Sequence, residues 1–242
     1  MTNLCIDWGN TRVKAAIFSH DFLKVADNFS EEDALTGIIG LAQEYAPAAA
    51  IISSVAHHPP ELEVLLKEHC PLVAFNTDTN LPIMNAYGSP ETLGLDRLAI
   101  AVGINNRFRN EDALAISIGT AITYNFVQKN NIFRGGQISP GVRLRLRALH
   151  EFTDKLPLVS QEGSVPLLGY DTESSIRSGV MLGIAAEIDG MIANYQAQYP
   201  GINVVLTGGD APFFDNKLKN RIFADSQLLM QGLHSILKHN VR

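Results

Sequence analysis

Residues 6–18, IDWGNTRVKAAIF, and residues 114–127, LAISIGTAITYNFV, are two versions of one pattern. At an offset of 110, Gly119 falls on Gly9, Thr120 on Asn10 and Ser117 on Asp7. Each is an apolar strand, a glycine-containing turn with a small polar residue, and a second strand, the signature of a β-hairpin. In the first, the turn is expected to carry Asp7, Gly9, Asn10 and Thr11, with Val13, Ala15 and Ile17 alternating beyond it. After helical sequence, each hairpin is followed by a short apolar strand ending in hydroxyl or glycine residues: AIISSVA at 50–56 and VVLTGGDA at 204–211. Such a repeat restricts the fold more than any single motif, because both halves must build the same supersecondary unit. The halves join near RFRNED, 107–112, which predicts domains over 1–108 and 109–242.

Helices fill the intervals. Ser30 is the expected N-cap of a helix over 31–45 that lines up Leu35, Ile38, Ile39 and Ala42. Pro59-Pro60 starts a helix to 69, and Leu95, Leu98, Ala99 and Val102 stripe another to about Arg107. Thr172 is the expected cap of a long helix over 173–198, and a last helix covers 227–239. Strands alternating with helices in two similar halves predict an α/β protein with a mixed sheet in each half.

The chain has 242 residues, 46% hydrophobic and 18% charged, enough to bury a sizeable core. Its formal net charge of −6 argues against a nucleic-acid surface held by phosphate contacts. Cys5 and Cys70 are far apart and show no metal spacing, so two free thiols in a reducing cytoplasm are expected. Asp7 arrives too early for a signal peptide. The longest apolar stretch, 178–195, contains Glu187 and Asp189 and is read as a buried helix, not a membrane span.

Turn structure needs only the Gly and Asn of the first hairpin. The added acid, hydroxyl and lysine suit a nucleotide phosphate: turn amides with Asn10 and Thr11 donate to phosphate oxygens, Asp7 holds Mg²⁺ directly or through water, and Lys14 offsets charge. Gly119 and Thr120 repeat the device, and the adjacent glycines of LTGGDA (206–211) allow backbone to approach a ring or ribose. In GLDR, 94–97, Asp96 and Arg97 open an apolar helix; a carboxylate there orients an acceptor hydroxyl and takes its proton, or merely complements the helix dipole.

DWGNTRVK (7–14), YGSPETLGLDRLA (87–99), GTAIT (119–123), GGQISPGVRLRLRALHEFTDKLPLV (135–159), DTESSIRSG (171–179) and LTGGDA together resemble the type III pantothenate kinases, of the actin, Hsp70 and sugar-kinase superfamily. The resemblance implies two ribonuclease-H-like (actin-like ATPase) domains related by duplication, with an ATP cleft between them. It implies ATP-dependent phosphorylation of pantothenate to 4′-phosphopantothenate, the first step of coenzyme A biosynthesis, by a cytoplasmic homodimer. By resemblance, Asp96 is the catalytic base. ATP is held by Asp7, Trp8, Gly9, Asn10, Thr11, Arg12, Val13, Lys14 and Thr120. Pantothenate is held by Tyr87, Gly94, Leu95, Asp96, Arg97 and Thr172, the last equally readable as a helix cap. The family carries an aspartate for K⁺ or NH₄⁺ where this chain has Ser117, which puts that cation in doubt.

In the helix over 173–198, Gly179, Gly183, Ala186 and Gly190 keep one side small, while Met181, Leu182, Ile184, Ile188 and Ile192 are large. Such a helix calls for partners on two sides, which fits a homodimer. The arginines of 143–147 are read as solvated or at a subunit contact. His57-His58 and His69-Cys70 lack a supporting ligand set.

Overall fold

A computed structural model describes residues 1–9, 12–54 and 58–241. The chain divides into two compact units: Met1–Arg109 with Asn131–Phe133 and Gln227–Arg242, and Asn110–Asn130 with Arg134–Ser226.

The first unit is built on β1 (Thr2–Trp8), β2 (Val13–Ser19), β3 (Phe22–Phe29), α1 (Glu31–Tyr45), β4 (Ala49–Ser54), α2 (Pro60–His69), β5 (Leu72–Ala74), β6 (Met84–Asn85) and α3 (Leu95–Arg107). Its five-stranded sheet has the order β3-β2-β1-β4-β5, with β1 antiparallel to β2 and parallel to β4. One face presents Leu4, Ile6, Trp8, Val13, Ala15 and Ile17 to Ala34 and Ile38 of α1 and to Leu62 and Leu66 of α2. Ser30 caps α1, its hydroxyl accepting from the Asp33 N–H at 3.2 Å. The opposite face is buried too: Cys5, Ala16, Phe18 and Ile51 are all inaccessible to solvent or nearly so. That is why β1 reads as a continuous apolar run and not as an alternating one.

The second unit comprises β7 (Ala113–Ile118), β8 (Ala121–Gln128), β9 (Ile132–Gly135, its first two residues counted with the first unit), β10 (Ile138–Pro140), α4 (Val142–Glu151), α5 (Thr172–Gln198), β11 (Asn203–Thr207) and β12 (Phe223–Ala224). Here β7 is antiparallel to β8 and parallel to β11, repeating the arrangement of β1, β2 and β4. The duplication read from the two hairpins is therefore a duplication of sheet topology. Ile184, Ile188 and Ile192 of α5 pack on this sheet.

The last helix, α6 (Leu228–Asn240), belongs to the first unit, whereas the boundary expected from sequence placed all of 109–242 in one domain. Physical cause lies in paired glycines. A Cβ at Gly232 would overlap the Ala99 carbonyl, and one at Gly103 would overlap that of Leu228, so α3 and α6 meet backbone to backbone. His234 of α6 stacks on Phe18, ring centroids 4.4 Å apart, and its Nε2 accepts from Asn3 Nδ2 at 3.1 Å. Burial pushes this imidazole down to about 4, keeping it neutral.

Both cysteines are free and buried. Among the described residues, no helix is long and apolar enough to cross a membrane, and no group of His, Cys, Asp or Glu has the makings of a metal cluster.

Candidate active site

Two further positions differ from the sequence expectation. Asp7 lies inside β1 and not in the turn, paired across the antiparallel ladder with Lys14, while Trp8 pairs with Val13. The Gly9 N–H donates to the Arg12 carbonyl at 3.3 Å and closes the loop; Asn10, Thr11 and His57 lie outside the described residues. Thr172 is not the cap of α5. That role falls to Asp171, whose carboxylate accepts from the Ser174 N–H at 2.7 Å, while Ser174 Oγ accepts from the Asp171 N–H at 3.1 Å. The box satisfies two orphan donors at once, and Thr172 becomes an exposed first-turn residue.

Strand register sets the centre of the site. Asp7 has Lys14 beside it on β2 and Ser53 beside it on β4. It is 7% exposed, and burial pushes its carboxyl up to about 6; Lys14 pulls it down and Asp96 pushes it further up. Asp7 thus feels the carboxylate of Asp96. The two come from different elements: Asp7 from a strand end, Asp96 from the first turn of α3. Ser53 is fully buried, and its hydroxyl has no hydrogen-bond partner among the described residues.

The GLDR segment folds so that a half-buried carboxylate, Asp96, stands in the first turn of α3. Gly94 is the N-cap of α3, with no side chain to close the helix end. Asp96 Oδ1 instead turns back to accept from the Arg97 N–H at 2.9 Å. A Cβ at Gly94 would stand 2.5 Å from that oxygen, so only glycine leaves the carboxylate its place. Arg97, 3% exposed, lies with its guanidinium 5.5 Å from the Tyr87 ring centroid and 5.9 Å from that of Phe133. The two rings are stacked 6.3 Å apart. Such stacking fixes the plane of the guanidinium fork, whose donor geometry suits a carboxylate. Tyr87 is itself held by its N–H, which donates to Asn85 Oδ1 at 3.1 Å. Asp7, Lys14, Tyr87, Gly94, Leu95, Asp96 and Arg97 all belong to the first unit.

In the second unit the equivalent row is Thr123, Ser117 and Thr207, in register on β8, β7 and β11. It offers three hydroxyls and no charge. Asn125 Nδ2 donates to Thr123 Oγ1 at 3.0 Å, so one hydroxyl is already engaged. Thr120 is exposed at the turn that follows. LTGGDA closes on this strand end, the Asp210 N–H donating to the Ile118 carbonyl at 3.0 Å. Asp210 is buried with one carboxylate oxygen lacking a partner among the described residues.

Phe133 and Ser53 are the additions that the sequence did not yield. Phe133 comes from a segment far along the chain with no motif of its own. Ser53 had a signal in the hydroxyls that end the short apolar strand following each hairpin.

A buried aspartate beside a lysine, set against a second carboxylate at a helix start, occurs in many phosphate-handling folds. Sequence comparison decides among them. A profile for type III pantothenate kinase matches residues 3–194. The chain belongs to the type III pantothenate kinase family. It is a kinase that phosphorylates pantothenate in coenzyme A biosynthesis. A type III pantothenate kinase of Bacteroides fragilis (strain ATCC 25285) is 43% identical over 239 residues, 98% of each chain. One from Phocaeicola vulgatus is 42% identical over 240 residues, again 98% of each. Among solved structures, a ROK family glucokinase from Streptomyces griseus, in complex with glucose and AMPPNP, superposes with a TM-score of 0.54. It is 12% identical and covers 99% of each chain, a likeness of fold alone. The kinase thus has the actin, Hsp70 and sugar-kinase fold.

Proposed function

We propose that Asp96 is the base that orients the terminal hydroxyl of pantothenate and takes its proton as the γ-phosphate of ATP is transferred to give 4′-phosphopantothenate. The observation that carries this reading is the convergence of Asp7 and Asp96. One carboxylate is buried beside Lys14 and the other opens a helix next to a stacked arginine. In-line phosphoryl transfer needs both a charge-neutralising side and an acceptor side.

Arg97, clamped by Tyr87 and Phe133, binds the carboxylate of pantothenate, and Gly94 and Leu95 line the same end. Gly9, Arg12, Val13 and Lys14, with Asn10, Thr11 and Thr120, hold the nucleotide phosphates, and Trp8 packs beneath them. Thr172 contacts pantothenate as an exposed residue free of any capping duty.

Mg²⁺ fits the first unit: Asp7 supplies a carboxylate whose burial disfavours an uncompensated charge, and Ser53 an unpartnered hydroxyl beside it. When bound, the ion offsets the charge that gathers on the transferred group. A monovalent cation at Ser117 does not fit equally well, because Ser117, Thr123 and Thr207 supply neutral oxygens only.

The enzyme acts as a cytoplasmic homodimer in this reading, in keeping with two buried free thiols. Gly179, Gly183, Ala186 and Gly190 of α5 form an exposed stripe, and a Cβ at any of the three glycines would meet nothing within 4 Å. Phosphoryl transfer from ATP to pantothenate, followed by mass spectrometry of the product, tests the whole reading. Turnover of ATP without 4′-phosphopantothenate would refute the acceptor assignment.

A further inference from the structure

Lys14, Asp7 and Ser53 stand in one row across β2, β1 and β4, with Asp7 in the centre. Register partners on neighbouring strands project from the same face of a sheet. One step further along that face, the columns hold Ala16, Cys5 and Ile51, all buried and all apolar. The polar row is therefore an abrupt change at the end of an apolar surface. Lys14 and Asp7 have evident work in a phosphate site. Ser53 has none so far.

Its position makes that unusual. Ser53 is 0% exposed, and its Oγ has no hydrogen-bond partner among the described residues. A hydroxyl buried without a partner is costly, and a group that stays so in a native fold calls for an explanation, of which a water or ion held at the site is one. The second unit repeats the placement: Thr207 sits beside Ser117 as Ser53 sits beside Asp7. A hydroxyl beside the central residue is thus built into both copies of the strand pair, while only the first copy has a carboxylate at the centre.

We propose that Ser53 is a positioning residue of the divalent-cation site, its hydroxyl holding a water of the ion that Asp7 carries. The proposal rests on the reading of Asp7 as the Mg²⁺ residue. Mg²⁺ dehydrates reluctantly and keeps several waters, so its site needs hydrogen-bonding groups around the ion as well as direct ligands. Groups of this kind fix the orientation of the ligands, and their loss weakens metal binding without removing it.

Mn²⁺ serves as the probe. Free Mn²⁺ is measured by electron paramagnetic resonance during titration of the full chain with the non-hydrolysable nucleotide AMPPNP present. Ser53→Ala is expected to weaken Mn²⁺ binding about tenfold, within the range of about 10–100-fold seen when such outer partners are removed. Ser53→Thr, which keeps the hydroxyl in the form used at Thr207, is expected to restore binding. Equal affinity in Ser53→Ala and wild type overturns the proposal, as does equal weakening in Ser53→Ala and Ser53→Thr, which would mark a packing effect. Should Ser53→Ala fail to fold, Ser53→Cys replaces it, with a weaker donor of similar size and an affinity between those of wild type and a complete loss. Wild-type affinity in Ser53→Cys then counts against the proposal. Failure of the wild type to bind Mn²⁺ with nucleotide would overturn the Asp7 reading itself, and Asp7→Asn in the same titration separates the two failures.

Discussion

Replacing Asp7 by Asn should stabilise the protein in the absence of metal and nucleotide while disabling it. Asp7 is held at about 6 against an ordinary 3.8, mainly because burial strips its charge of water. Below 3.8 the carboxyl is protonated whether the chain is folded or not, and the site costs nothing. Between 3.8 and 6 the folded state retains a proton that the unfolded state has lost, so stability falls as pH rises. Above about 6 the folded state carries the full penalty, about 3 kcal/mol at about 1.4 kcal/mol for each pH unit. Asn removes the charge but also its attraction to Lys14, so the expected gain at pH 8 is about 1–3 kcal/mol. For a chain of this size that is a rise in Tm of about 3–10 °C. Differential scanning calorimetry of the ligand-free protein at pH 4 and pH 8 measures it. The two proteins should melt together at pH 4 and separate at pH 8, with the variant higher. Addition of Mg²⁺ and ATP should then raise the wild type and leave Asp7→Asn unmoved. A variant that melts at or below the wild type at pH 8 would show that Asp7 carries no buried charge penalty, and the electrostatic account of the site would fail.

Asp96→Asn should lower turnover by about two to four orders of magnitude with little change in ATP affinity, the range for loss of a general base; near-normal steady-state turnover in the purified variant would remove Asp96 from the mechanism. Activation by K⁺ or NH₄⁺ should be weak in the wild type and stronger in Ser117→Asp, since the substitution restores a carboxylate to a row of hydroxyls. Saturable activation of the wild type at low millimolar K⁺ that is unchanged in Ser117→Asp would contradict this. Light scattering should give a dimer mass for the wild type and a monomer mass for Gly183→Glu. A Cβ at Gly183 meets nothing within 4 Å, so the fold tolerates the change while the exposed stripe does not.

Local chemistry made much of this legible beforehand. Ser30 before three acidic residues marks the start of α1, and the glycine turns at 9 and 119 mark both hairpins. Asp96 and Arg97 stood out because charge at the head of an apolar helix calls for a reason. What stayed hidden depends on tertiary partners. α3 read as a striped helix with Leu95, Leu98, Ala99 and Val102 on its buried side, yet it is buried from Arg97 to Asn105 because α6 covers the rest. No local pattern announces a partner so far away in sequence. The cap of α5 went to Asp171 and not Thr172 because the choice lies in which side chain reaches the Ser174 N–H, a matter of one residue. An acid interrupting an apolar strand resembles a turn residue, so sequence alone predicts Asp7 in the turn. In the fold Asp7 is the penultimate residue of β1, and Lys14, its register partner, offsets part of the cost of burying it there.

The return of α6 to the first unit has a consequence for synthesis. A ribosome delivers β1 through α3 early, but the surface of α3 that receives Leu228 and Gly232 stays uncovered until the whole of the second unit has been made. Domains generally fold as units in the order they emerge. Here the unit that emerges first is the one completed last, and the Asp7–Asp96 site depends on the α3 that α6 braces. A nascent chain stalled before residue 227 should therefore present an unfinished kinase core to chaperones and proteases, whereas its second unit already contains every strand and helix it needs.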